Sequence, residues 1–371
     1  MPYLLLIGTR KGLFKATSDD RRAWEVSGPL KLDAESWTDM MGVYAVGVDP
    51  HSRRILAGAE SSHFGPSVWY SDDLGATWSE PEERPIALPE DAEESFTRVW
   101  QFAFGDEPGT VYAGAEPHSL FRSTDGGEHF ELVRPLWDHP HRKDWFPGAG
   151  GGAIHTIIPG KVAADGTDPR AMTVAMSTGG VYQTRDAGAS WEPANKGVTT
   201  TFLPDEIPEY GQCVHKVSVG ADGAFFLQNH HGVFRSEDPA SGWEPIADGL
   251  PSDFGFAMVA HPHRPGAALN FPVISEACHI PPDHRLRPFR TEDAGGSWGA
   301  YDAGLPKEPY FGIVLRDGAC TDGADDPGFY FGTRSGDVYA TTDSDGRWHQ
   351  VAAHLPDVLC VRAVEVEARW R

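Results

Sequence analysis

The chain has 371 residues, and 31 Lys and Arg stand against 54 Asp and Glu, a formal net charge of −23 at pH 7. A surface this negative repels nucleic acid and anionic membranes, and no apolar run approaches the roughly 18 residues of a membrane helix. Forty-two Gly, 30 Pro and 12 Trp, with few long helical runs, favour short strands joined by turns and an all-β fold.

The first element, in MPYLLLIGTRKGLFK, reads as two strands about a Thr9-Arg10-Lys11 turn rather than as a signal peptide, because no basic residue precedes its apolar run and no small-residue cleavage site follows it. Cys213, Cys278, Cys320 and Cys360 are far apart without a C-x-x-C spacing, so neither a disulfide framework nor a zinc knuckle is indicated and a reducing cytoplasm is expected.

Along the chain the pattern S/T-x-D-x-G-x-x-W/F recurs. Clear copies are Ser71-Asp73-Gly75-Trp78, Ser123-Asp125-Gly127-Phe130, Thr184-Asp186-Gly188-Trp191 and Thr291-Asp293-Gly295-Trp298. Copies without the Gly are Thr17-Asp19-Trp24, Ser236-Asp238-Trp243 and Thr341-Asp343-Trp348. The steps between first hydroxyls are 54, 52, 61, 52, 55 and 50 residues, a period belonging to propellers and solenoids. In each copy the Asp can accept from backbone N–H groups of its own turn, the Gly permits positive φ, and the aromatic opens the next strand, so the pattern is a hairpin staple rather than a catalytic motif.

Upstream of each staple lie two alternating apolar runs, such as VYAVGVDP and RILAGAE before SVWYSDD. Each unit therefore holds four strands, A, B and C before the staple and D after it. The chain begins with strands B and C and ends with LCVRAVEVEA, a strand A without partners, so the last strand is expected to complete the first blade and remove the open edges. The expectation is an all-β, seven-bladed propeller of four-stranded blades, with residues 1–371 forming one domain.

These staples resemble the Asp-box, or BNR, repeats of the sialidase-like propeller superfamily over essentially the whole chain. That superfamily includes sialidases, xyloglucan-cleaving glucanases, sortilin-type receptors and the photosystem II stability/assembly factor group, so the resemblance implies a fold without naming an activity. Seven blades look most like the assembly-factor group and single glucanase domains. Sialidases of the superfamily have six, and GTRKGLF stands where their F/Y-R-I-P motif would be; a sialidase is not expected.

The fold resemblance puts the staples on one face and the B–C and D–A loops on the other, where ligands bind. The seven B–C loops are then Thr9-Arg10-Lys11, Glu60 to His63, Glu116-Pro117-His118, Ser177 to Gly180, Asn229-His230-His231, Glu276 to His279 and Thr333-Arg334-Ser335. The starts of the A strands add Arg98, Trp100, His155, His215, Lys216, Tyr310 and Arg362. Cations gathered around one opening of an acidic protein suit a small anionic ligand such as an acidic sugar. The D–A segment PLWDHPHRKDWFPGAGGGAIH reads either as a flexible lid or as a disordered surface excursion.

Three chemistries fit these residue types. A glycoside hydrolase needs two carboxylates from among Glu60, Glu116, Glu276 and Asp39. A β-eliminating lyase would draw its base from His230, His279 or Tyr310, and Arg10 or Arg334 would neutralise the sugar carboxylate. Arg98, Arg362, Trp100, His63 and His118 complete the expected substrate-binding set. A metal site is the third, since imidazole and carboxylate ligands abound; no metal or cofactor is assigned, because 16 His make chance clustering easy. In the alternative of another class, the ring does no chemistry and presents its loop face to a protein partner. A deep pocket of titratable groups favours the first class, a flat apolar face the second.

Overall fold

A computed structural model of the protein describes residues 3–31, 41–61, 65–81, 84–148 and 150–366. The chain forms seven antiparallel sheets in sequence order, six of four strands and one of three. The three-stranded sheet, in blade two, extends through an isolated bridge between Tyr70 and Ser79. In blade one the last strand, Val358–Glu365, pairs with Tyr3–Thr9, which pairs with Gly12–Ser18 and then Glu25–Ser27. The first and last strands thus close the ring by main-chain hydrogen bonding from Tyr3↔Glu365 to Gly8↔Cys360. Among the described residues no helix is long and apolar enough to cross a membrane.

The core lies between blades, because each twisted sheet must bury both faces against its neighbours. One apolar cluster joins Leu4 and Leu6 of blade one to Val43, Val46 and Trp69 of blade two. Another joins Ala340 and Tyr330 of blade seven to Leu5 and Ile7 of blade one. Small residues let the sheets approach: a Cβ at Gly114 would run into the carbonyl oxygen of Ile154 in the next blade. Trp243, Trp298 and Trp348 reach back across the junction and donate from Nε1 to the carbonyls of Ala194, Ile246 and Tyr301, at 2.8, 2.7 and 2.7 Å.

The clear staples close as their residue types require. In the third blade Ser123 Oγ donates to Asp125 (2.7 Å) and accepts from Gly127 N (2.9 Å), while Asp125 accepts from the backbone of Glu128 and His129 at 3.0 Å each. Gly127 has φ of 90°, which a side chain would oppose. Two worn copies depart from the sequence reading. In blade one the turn is stapled one residue later, by Ser18 and Asp20, whose carboxylate accepts from Arg22 N and Ala23 N. In blade seven Asp343 leaves its turn to meet Arg290 and Arg264, and Asp326 accepts from Ser344 N instead.

The loop face is shaped by one further device. The inner strand of blades one to six breaks register near its start: opposite Gly8/Thr9 and between Val43/Ala45, Val99/Gln101, Ile154/Thr156, Val214/Lys216 and Gly255/Met258. The residues skipped by the ladder include Leu359, Tyr44, Trp100, His155, His215 and Phe256, and a bulge of this kind re-aims its side chain out of the pleat. Blade seven goes further. Its inner strand begins only at Ala319, preceded by a turn Leu315–Gly318 closed by Gly318 N donating to Leu315 O at 2.9 Å.

Candidate functional site

A cavity of about 670 Å³ opens where these devices converge, and every blade contributes to its wall. The bulge residues Leu359, Tyr44, Trp100, His215 and Phe256 line it, as does Arg316 from the blade-seven turn. From the B–C loops come Arg10, Ser177, Thr178, His230, Glu276, His279 and Arg334. Phe146 and Phe202, from the D–A connections that follow Leu132 and Pro193, meet edge-on at 6.5 Å and wall one side.

The segment that supplies Phe146 is neither lid nor disordered excursion. Leu136, Trp137 and Trp145 are buried, His141 lies 3.9 Å from Tyr210 in a ring stack, and His139 Nε2 is 3.2 Å from Trp191 O. Aromatic packing of this density makes a fixed wall.

Of the residues expected at a site, the structure brings Arg10, Arg98, Trp100, His230, Glu276, His279 and Arg334 into the cavity. Their charges are already partly spoken for. Arg10 and Arg334 share Asp357. Arg98 holds Glu60 at 2.9 Å and Glu116 at 3.7 Å, and Glu116 also accepts from Trp100 Nε1 at 3.0 Å. Glu60 and Glu116 therefore stand behind the lining as counter-ions, leaving Glu276 as the lining carboxylate among the described residues.

Other expected residues lie elsewhere. His118 is buried beside a neighbouring groove it shares with Glu116 and Arg142; its Nε2–H donates to Ser177 O at 2.5 Å, and burial pushes its pKa down to about 4. Tyr310 donates to Asp337 at 2.6 Å beside Thr333, and burial pushes its hydroxyl well above the usual range. Arg362 Nε donates to Val46 O at 3.3 Å, tying blade one to blade two. None of the three lines the central cavity. His63 and Asp39 lie outside the described residues.

Sequence reasoning missed Arg316, Cys213 and the bulge residues Tyr44 and Phe256. Arg316 makes no ion pair or hydrogen bond with another described residue; its Nε is sealed from solvent without a partner, and its guanidinium lies 5.4 Å from the Trp100 ring and 5.5 Å from that of Phe256. Burial holds its pKa below the ordinary arginine value, with Cys213, Asp317 and Glu116 opposing. Below it a polar plug fills the axis: Lys216 is bonded to Asp317, which also accepts from Gln101 Nε2 at 3.3 Å. Burial lowers the Lys216 pKa despite Asp317.

The imidazole pKa values of the cavity are all lowered. Burial leads in each case: His230 is pushed down to about 4, with His231 adding to the effect, His215 falls well below its usual value, and His279 is lowered by desolvation and then by Arg334. The site thus combines one uncompensated guanidinium, neutral bases and aromatic walls, an arrangement that can hold an anion and accept a proton from it.

No protein-family model and no curated protein sequence matches the chain. Solved structures do. A GH74 xyloglucanase from Xanthomonas campestris superposes with a TM-score of 0.62 at 17% identity, covering 95% of this chain and 52% of that one; the chain thus spans about half the length of that enzyme. YCF48 from Cyanidioschyzon merolae gives 0.54 at 13% identity over 84% of this chain and 85% of its own. YCF48 bound to a D1 peptide gives 0.52 at 14% identity over 95% and 88%. At such identities these likenesses show the fold, and they agree with the resemblance read from the staples.

Proposed function

We propose that the chain is a glycan-active propeller whose central cavity binds an acidic sugar by its carboxylate, and that its chemistry is β-elimination rather than hydrolysis. The observation that carries this reading is Arg316, a guanidinium held against two aromatic faces with no counter-ion among the described residues. Such a group is costly in the empty fold and becomes favourable when a carboxylate supplies the missing charge. Hydrolysis by two carboxylates finds less support, because Glu60 and Glu116 face Arg98 instead of the cavity.

In this reading Arg316 pairs with the uronate carboxylate and stabilises negative charge developing beside it. His279, neutral and stacked on Phe254 at 5.7 Å between centroids, takes the proton from the carbon next to the carboxylate. The electron pair forms the carbon–carbon double bond, the bond to the departing glycosidic oxygen breaks, and that oxygen takes a proton from water in the open cavity.

The test is a panel of uronate oligosaccharides with their neutral counterparts, followed by calorimetry and by the ultraviolet absorbance of the new conjugated double bond. Binding of uronates alone, with turnover reduced at least about 100-fold in His279→Gln while binding persists, is expected. Equal binding of neutral oligosaccharides, or reducing ends released without unsaturation, would overturn it.

A second reading has its own observation. Phe146, Phe202, Ile274 and Phe311 are 44%, 39%, 40% and 56% exposed around the loop face, an apolar rim of the kind that docks a peptide, and one YCF48 neighbour is seen with the D1 peptide. Under that reading Phe311→Ser abolishes capture of a peptide partner without affecting uronate binding.

A further inference from the structure

We propose that Cys213, His215 and His230 form a binding site for a divalent cation of the zinc type, with its fourth coordination position open to the central cavity. One ligand atom of each residue lies within 4.8 Å of the others, and Cys213 Sγ is 3.6 Å from His215 Nε2. All three side chains line the cavity, so a ligand or water can reach the remaining position. Three protein donors and one open position are the arrangement of a reactive rather than a purely structural zinc centre.

The donors are held as a metal site requires. His215 Nδ1–H donates to Gly255 O at 2.6 Å, which leaves the Nε2 lone pair directed at Cys213, and a carbonyl behind a ligating imidazole fixes both its tautomer and its ring plane. His230 Nδ1 is sealed from solvent and has no hydrogen-bond partner among the described residues, a deficit that a cation would remove. Phe254 stands 5.5 and 5.1 Å from the two imidazole rings and Phe256 stacks on His215 at 4.8 Å, so the rings are packed in place. Cys213 is a free thiol. One sulfur and two imidazole nitrogens select zinc or its neighbours over magnesium and calcium, which take oxygen.

Another trio, His230, His231 and Glu276, has donor atoms within the same span. His231 Nε2 already meets Thr201 Oγ1 at 3.0 Å, and Glu276 is exposed on its loop; the trio with Cys213 and His215 buried and His230 half-buried is the better built.

The cation site shares its cavity with the acidic-sugar reading, and Arg316 acts electrostatically on all three donors; the two are told apart because the metal test uses the metal alone. Chelator-stripped protein is titrated with Zn²⁺ by calorimetry and with Co²⁺ by visible and near-ultraviolet absorbance. One equivalent is expected, with a thiolate-to-cobalt charge-transfer band and a Zn²⁺-dependent rise in melting temperature. Cys213→Ser, nearly isosteric, removes the band and weakens binding at least about 100-fold; His215→Ala and His230→Ala do the same, while Cys278→Ser leaves band and affinity unchanged and Glu276→Gln keeps the band. Folding of each variant is checked by its metal-free melting curve. Binding without the band, binding insensitive to Cys213→Ser, or binding lost with Glu276→Gln would each overturn the proposal.

Discussion

Replacing Arg316 by Met separates what this side chain does for the fold from what it does for a ligand. An unpaired buried charge costs several kcal/mol in full burial; Arg316 retains an opening to the cavity, and its contacts with Trp100 and Phe256 at 5.4 and 5.5 Å return about 1–2 kcal/mol. The remaining strain on the empty fold is about 1–2 kcal/mol. Met keeps the apolar stem and removes the charge, so Arg316→Met is expected to be more stable than the parent by that amount. With an unfolding entropy of about 2.1 cal/mol/K per residue over 371 residues, the melting temperature rises by about 1–3 °C in calorimetry. The same variant loses a charge-assisted contact worth about 2–3 kcal/mol and binds uronates roughly 30- to 150-fold more weakly. A variant that melts below the parent, or one whose uronate affinity stays within about threefold, would refute the idea that this arginine is an uncompensated charge waiting for an anion.

The staples give a second contrast. Ser123→Ala leaves the buried Gly127 N–H without its 2.9 Å acceptor and is expected to cost about 1–3 kcal/mol in urea unfolding, whereas Asp125→Ala frees N–H groups of exposed residues that water can satisfy and should cost about 1 kcal/mol or less. His118 takes up a proton near its ordinary value of 6.5 when unfolded and near 4 when folded, so the unfolded chain binds more protons in that window. Stability is full above pH 6.5 and falls as the pH drops toward 4; in His118→Gln this acid loss shrinks by about 3 kcal/mol, read from urea midpoints across the window. Trp298→Phe deprives Ile246 O of its 2.7 Å donor and is expected to cost about 1 kcal/mol, a cost that vanishes if the blade junction is held by packing alone.

What could be read from the sequence was what repeats. Seven copies of one hydroxyl–Asp–aromatic spacing reveal the blades because each clear copy is a local solution, complete within about ten residues. Even there the reading slipped where a neighbour offered the same chemistry: Ser18 and Asp20 can staple the first turn as well as Thr17 and Asp19, and only packing chooses between them. The cavity was legible through its loops, which placed Arg10, His230, Glu276 and His279 correctly. Its floor was not. A bulge inserts one residue with no periodic signature, so Tyr44 and Phe256 read as ordinary strand positions, and Arg316 reads as a turn residue in V-L-R-D-G. Pairings such as Arg98 with Glu60 and Glu116 depend on the angle between adjacent blades, which no local pattern encodes. Cys213 was set aside for lack of a C-x-x-C partner, although Cys-x-His across a bulge brings both side chains to one cavity.

The slipped register of the inner strands separates two problems that most sheet proteins must solve together. Leu359, Tyr44, Trp100, His155, His215 and Phe256 lie where the ladder has let one position go, so changing any of them leaves the inter-strand pairing on either side intact. A combinatorial library restricted to the members that line the cavity, all but His155, should yield mostly folded proteins with altered ligand preference, each spoke tuned without retooling the wheel.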